Sequence, residues 1–286
     1  MADTRHASPE VAEFLASFFS AKNSHDVGAT MRHFSPQMVT YTDSTLGWPF
    51  DGFEILESVF AQYMPQWPAT ALSYPTRILG DANSALVAFT DTPELFGGEL
   101  RIFGAVDMED GKIVRWVDYW DSTRFDDNLY AQMRTPAESF PSDFKESRIG
   151  VKADPAMAAT ATQLQSAWAA GDALAAAELL SYDAVYEDMA LRTQVLGRAE
   201  IESYLGRVLR VAPYGNGSRL RHVVGGSSGG GFEWFASPGS SVAGGITALE
   251  IGGNGRIDRI TSVYDSRQLS EADRRSLVLS SGSLAE

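Results

Sequence analysis

Met38-Val-Thr-Tyr-Thr-Asp43 reads as a strand ending on a lone carboxylate, and Ala184-Val-Tyr-Glu-Asp188 repeats that reading further down the chain. Around both copies the same order of signals recurs. A helix cap followed by proline opens each half, at Ser8-Pro9 and at Asp154-Pro155. Gly52-Phe-Glu-Ile-Leu-Glu-Ser58 answers to Gly197-Arg-Ala-Glu-Ile-Glu-Ser203. Lys112-Ile-Val-Arg-Trp-Val-Asp-Tyr-Trp-Asp-Ser122 answers to Arg256-Ile-Asp-Arg-Ile-Thr-Ser-Val-Tyr-Asp-Ser266. Nearly the same offset, from 43 to 188, from 52 to 197 and from 121 to 265, links all of them. A nearly constant offset across so many elements indicates a duplicated domain. Two copies make tandem domains, and not a solenoid.

The 286 residues suit two domains, each large enough for its own core. The formal charge of −14 carries no basic run to offset it, which argues against nucleic acid and anionic membranes as partners. With no cysteine, disulfides, thiolate catalysis and cysteine zinc sites are excluded. Met-Ala-Asp-Thr-Arg-His at the start lacks an apolar signal region, and no long apolar window follows, so a soluble cytoplasmic protein is expected.

Local signals give each half the order helix, helix, strand, helix, sheet. Pro9 to Lys22 is predicted as a helix whose Val11, Phe14, Leu15, Phe18 and Phe19 form one apolar face. A second helix runs from Asp26 to Phe34, and Leu46-Gly-Trp-Pro-Phe50 is expected as a loop because Gly and Pro break both periodic patterns. Phe53 to Met64 is the third helix. Strands follow at 73–79, 84–91, 99–109 and 112–122, with Asp110-Gly111 as a hairpin turn. Domains are expected at 8–125 and 154–269, with 126–153 as a linker and 270–286 as a tail holding one short helix before it frays. Gly225 to Gly231 is expected as a loose hairpin loop.

These motifs, with the element order, resemble the SnoaL-like branch of the NTF2-like superfamily. That group includes ketosteroid isomerases, polyketide cyclases, limonene-epoxide hydrolases, scytalone dehydratases and a lignin-dimer formaldehyde lyase. The resemblance implies an α+β fold class: two tandem cone-shaped domains, each a curved antiparallel sheet wrapped around helices, with a pocket in the open end. It implies a general-base role for Asp43. It also implies that the Asp118 and Trp120 face of the last strand lines the pocket. The tyrosine that ketosteroid isomerases carry on the first helix falls here near Phe18, and their second oxyanion acid near Phe103. Neither phenylalanine can donate a hydrogen bond, so steroid isomerisation by that machinery is not expected.

Strand parity places Asp118 with Trp120 on one face, and Arg101, Phe103, Ala105 and Asp107 together on one face of the preceding strand. The expected catalytic set is Asp43, Asp118 and Arg101, the last either holding an oxyanion or pairing with Glu99 or Glu109. An Asp43–Arg101–Asp118 group would imitate the triad of limonene-epoxide hydrolases. Expected substrate-binding residues are Tyr41, Trp48, Tyr63, Phe103, Trp120 and His33, with core packing as the competing reading for the tyrosines and His33. A carboxylate against aromatic walls loses hydration and becomes a better base, and two in one cavity push their pKa values apart. In the second half Asp188 is kept, but Ser262 replaces Asp118 and Tyr264 replaces Trp120, so that site is expected to be degenerate.

Other patterns carry no site. Gly226-Ser-Ser-Gly-Gly230 lacks the helix a nucleophile elbow needs, and the glycine run has no phosphate-loop ending. The histidines His6, His25, His33 and His222 show no metal-ligand spacing, so no metal is expected. The expected function is a cofactor-independent lyase, isomerase or cyclase acting on a hydrophobic aromatic or polycyclic small molecule. Epoxide hydrolysis and a non-catalytic binding or assembly protein are the alternatives. An internal pseudo-dimer or a homo-oligomer fits the repeat.

Overall fold

In the computed structural model, which describes residues 2–281, two sheets stand face to face with helices on the outer side of each. The first contains β1 (Asp3–Ala7), β2 (Thr40–Asp43), β3 (Trp48–Asp51), β4 (Ser73–Gly80), β5 (Ser84–Asp91), β6 (Leu100–Glu109) and β7 (Lys112–Trp120). Its order is β1-β4-β5-β6-β7-β2-β3. The second contains β8 (Leu180–Asp188), β9 (Thr193–Leu196), β10 (Arg219–Gly226), β11 (Gly229–Phe235), β12 (Gly244–Ile251) and β13 (Ile257–Tyr264), in the order β10-β11-β12-β13-β8-β9. Both sheets are mixed and not purely antiparallel. β2 joins β7 in parallel, β8 joins β13 in parallel, and β1 adds a parallel edge beside β4. The helices between β2 or β8 and the rest of the sheet supply the crossover that parallel pairing requires.

Helices α1 (Pro9–Asn23), α2 (Val27–Met31) and α3 (Phe53–Tyr63) cover the first sheet. Ser8 and Asp26 cap the first two, accepting from the amides of Val11 and Ala29. Val11, Leu15, Phe18 and Phe19 pack on Trp116, Val106 and Ile102, so α1 turns its apolar face onto one side of the sheet. A matching core in the second half gathers Trp168, Tyr186, Leu205 and Phe232. A third apolar layer lies between the sheets: Leu86, Phe103, Ala105 and Val117 meet Val224, Ile246, Ala248 and Val263.

Three stretches depart from the sequence reading. Trp48–Asp51, expected as loop, is an edge strand, where proline removes no ladder bond that a neighbour needs. The glycine run is strand on both sides of a turn at Ser227-Ser228, not a loose loop. A β-carbon on Gly231 would come within 2.8 Å of the Leu86 side chain, and one on Gly229 within 2.7 Å of His6 Cβ, so glycine here lets the two sheets approach. The segment expected as linker folds into α4 (Asp127–Met133) and α5 (Glu146–Ile149), and buries Tyr130 and Phe144. Near the end, α6 (Glu271–Ser281) seats Leu277 in the second core, and the fraying expected beyond it lies outside the described residues. No helix of the described residues is long and apolar enough to cross a membrane.

The halves meet about an approximate two-fold axis. Asp265 accepts from the amide and hydroxyl of Ser122 (3.1 and 2.7 Å), and Asp121 accepts from the amide and hydroxyl of Ser266 (3.0 and 2.9 Å). Reciprocal contacts of this kind define an isologous interface. Buried polar pairs reinforce it: Arg115 contacts Glu233 at 2.7 Å, and His222 meets Asp107 at 2.7 Å.

Candidate active site

Parallel pairing of β2 with β7 sets Asp43 directly beside Asp118, and paired residues of adjacent strands share a face. That face looks toward α1. Tyr41 sits beside Trp116 in the same register, their rings parallel within 9°. The Tyr41 hydroxyl donates to one Asp118 oxygen, and Trp116 Nε1 donates to the other at 2.6 Å. Asp118 is buried, and loss of hydration pushes its carboxyl up to about 8 despite those two donors, with the Asp43 charge adding to the rise. Burial likewise holds the Tyr41 phenol well above its usual value, so it stays a donor.

Half-buried Asp43 is held differently. One oxygen accepts from the amides of Thr45 and Leu46 (2.9 and 2.8 Å), which makes it the cap of the turn after β2. The other accepts from Trp120 Nε1 at 3.0 Å. Burial raises it to about 6, these three donors opposing the rise. At neutral pH the pair therefore splits: Asp118 is mostly protonated and Asp43 mostly ionised.

Gly104 lies opposite Asp118 on β6, and a β-carbon there would stand 2.9 Å from Trp116 Nε1. Its bareness gives the indole room to fold toward the carboxylate. Gly104→Ala is expected to push Trp116 off Asp118 and to cost about 1–3 kcal/mol. Urea unfolding followed by tryptophan fluorescence checks both; an unshifted emission spectrum with unchanged stability would contradict the packing.

Other expected members scatter. Arg101 pairs across β6–β5 with Thr90, and Phe103 pairs with Tyr119, so both occupy the face opposite Asp118. The parity reading had the right residues together but on the wrong side: Gly104, not Phe103, faces Asp118. Arg101 is exposed and pairs with Glu99 at 2.9 Å, while Phe103 packs between the sheets. The Asp43–Arg101–Asp118 triad is accordingly not assembled. Tyr63 is largely exposed, Trp48 donates its indole N–H to the Met133 carbonyl, and Trp120 holds Asp43. His33 bonds the Ala29 carbonyl and the Ser17 hydroxyl, with Phe18 standing between it and Trp116. Burial lowers its pKa. Trp116, which the sequence reading left out, was findable as the residue two before Asp118 on the same face.

The second half places Asp188 where Asp43 stands in the first. It caps its own turn through the Leu191 amide, and its other oxygen accepts from Tyr214 and Tyr264 at 3.2 and 3.3 Å. Burial raises it to about 7. Around it the hydroxyls of Tyr186 and Tyr204 and the indole N–H of Trp168 are buried without a hydrogen bond of normal geometry. The sequence reading saw a carboxylate without a charged partner; folding surrounds it with phenols drawn from β8, β13, the helix Arg198–Val208 and the loop after it. Among the described residues no three His, Asp or Glu side chains gather as a metal-holding cluster.

No protein-family model and no curated protein matches the chain. Solved structures do. The chain is similar in fold to NTF2-like and SnoaL-like proteins. An NTF2-like protein of unknown function from Cytophaga hutchinsonii aligns at 14% identity over 39% of this chain and 89% of its own, with a TM-score of 0.33. A protein with a cystatin-like fold from Silicibacter pomeroyi aligns at 20% identity over 43% of this chain and 85% of its own, with a TM-score of 0.37. A SnoaL-like protein of unknown function from Burkholderia thailandensis aligns at 13% identity over 39% of this chain and 96% of its own, with a TM-score of 0.34. Each alignment takes in nearly a whole neighbour but under half of this chain.

Proposed function

We propose that the protein is a cofactor-independent acid/base enzyme, of the lyase, isomerase or cyclase kind, acting on a hydrophobic aromatic small molecule in its N-terminal half. The observation that carries this reading is the adjacent pair Asp43 and Asp118, set among Tyr41, Trp116 and Trp120 and raised to about 6 and about 8 by burial. Asp43 supplies the base, and Asp118, protonated and backed by Tyr41, supplies the acid. Tyr41, Phe50 and Phe60 pack together and are half-buried, and on this reading a substrate ring approaches Asp118 along that side.

Proton transfer is testable without knowing the natural substrate. Enolisable aryl ketones such as 2-tetralone, incubated in deuterium oxide, are expected to exchange their acidic carbon-bound protons faster with the intact chain. Asp118→Asn is expected to lower that acceleration by about 10²–10⁴-fold while the ketone still binds. Undiminished exchange in the variant, or no acceleration by the wild type, would refute the assignment. Altered affinity as the sole effect would support a binding protein instead.

A second reading places a ligand around Asp188, favoured by the three unsatisfied buried donors there. Asp188→Ala decides between them. Loss of exchange in that variant, with Asp118→Asn unaffected, would move the chemistry to the C-terminal half.

A further inference from the structure

One cavity, of about 780 Å³, lies away from Asp43 and Asp118 and reaches Asp188 on its wall. It is a groove between the two halves, on the sides of the sheets that face each other, and its volume falls within the range of about 300–1,000 Å³ usual for small-molecule sites. Neither half closes it alone. Its floor is apolar, with Phe103, Met189 and Val263 from the layer between the sheets.

Charge on its walls decides what it can hold. Every carboxylate there is already engaged: Asp3 by Arg5, Glu99 by Arg101, Asp121 by Ser266, Glu187 by Arg259 and Asp188 by Tyr214. Of the four arginines on the walls, Arg77 pairs with Glu250 and Arg101 with Glu99. Arg124 and Arg192 have no partner among the described residues. They come from opposite halves, and theirs are the guanidinium groups of the wall left without a carboxylate partner among the described residues.

Arg192 also stands where its backbone argues against any side chain. It occupies the turn between β8 and β9 with φ 57°, in the left-handed region that favours glycine. The equivalent residue of the first half, at the same offset that relates Asp43 to Asp188, is Gly47 with φ 75°. An arginine at such a backbone position, with no side-chain partner among the described residues, carries local strain and leaves its guanidinium open to a ligand.

We infer that the groove between the halves binds an amphipathic organic anion, its carboxylate or sulfonate held by Arg124 and Arg192 and its apolar body lying on Phe103, Met189 and Val263. Charge-assisted bonds from guanidinium fix the anionic end, and the apolar floor selects against small inorganic ions. This site is separate from the Asp118 recess, because Phe103 and Asp118 lie on opposite faces of the sheet.

Calorimetric titration of the intact chain with 2-naphthoate, and with 2-naphthamide as the neutral isostere, tests it. Naphthoate is expected to bind and the amide to bind at least about tenfold more weakly. Arg192→Gly, which suits the backbone, and Arg124→Ala at an exposed position are each expected to raise Kd about tenfold or more. Asp118→Asn should leave the affinity unchanged. Four results would each overturn the inference: no naphthoate binding, equal binding of the amide, unchanged affinity in either arginine variant, or weakened binding in Asp118→Asn.

Discussion

Arg115→Met is expected to destabilise the chain by about 3–5 kcal/mol, a large share of the stability of most domains. Arg115 is wholly buried on β7, where Glu233 of the other half contacts it at 2.7 Å, Asp107 lies at 3.7 Å, and its Nε donates to the Phe144 carbonyl. Burial pushes the Glu233 carboxyl up, but the guanidinium outweighs that and holds it below the usual carboxylate value. Methionine would leave Glu233 supported by the Tyr119 hydroxyl alone, and Asp107 by His222 and Ser84. Two stranded carboxyls must then take up protons or break the contact between sheets. The double variant Arg115→Met, Glu233→Leu removes both ends of the strongest contact and is expected to recover most of the loss. Urea unfolding measures all three chains. A single variant within about 1 kcal/mol of wild type would show that the ion pair does not hold the halves together. A double variant no better than the single would show that something other than the unpaired charge is responsible.

Asp118→Asn carries the second large effect, read in the pH dependence of stability. Asp118 has its folded pKa raised to about 8 from an ordinary value of 3.8, so the folded chain holds a proton that the unfolded chain releases. Its contribution is fully present below about pH 4 and is lost as pH rises through 8. Between pH 5 and 9 that loss amounts to about 4 kcal/mol for this group. Asparagine cannot titrate, so the difference between wild type and variant should shrink by that amount over the same interval. Asp43 and Asp188, raised to about 6 and 7, give slopes of the same sign in both chains. Glu187 and Glu233, whose pKa values are lowered, act at more acid pH. Parallel curves for the two chains across pH 5–9 would mean that Asp118 is not held protonated.

Much of this architecture was legible in the sequence because it rests on local chemistry. Ser8, Asp26, Asp154 and Asp172 cap helices as side chains of their type do, and the nearly constant offset marks two copies. A shared site for Asp43 and Asp118 was implied by the family resemblance, while their direct pairing needs the parallel register of β2 and β7. What was not legible depends on which face of each strand turns inward. Parity groups residues along one strand, yet the relation between β6 and β7 needs their register, and one residue of difference put Phe103 and Arg101 on the far side. Gly229 and Gly231 looked like loop because glycine is rare in strands; only the approach of the other sheet explains them. The phenols around Asp188 come from four separate elements, and no spacing in the chain foretells their convergence.

The paired Ser–Asp brackets at 121–122 and 265–266 join two surfaces that belong to one polypeptide. A symmetric dimer of separate chains must spend every substitution twice, once in each subunit, and it falls apart on dilution. Tethered copies escape both conditions: the local concentration of one half near the other is set by the intervening segment and not by the cell. Each half is then free to change alone, as Arg192 shows where its counterpart is Gly47.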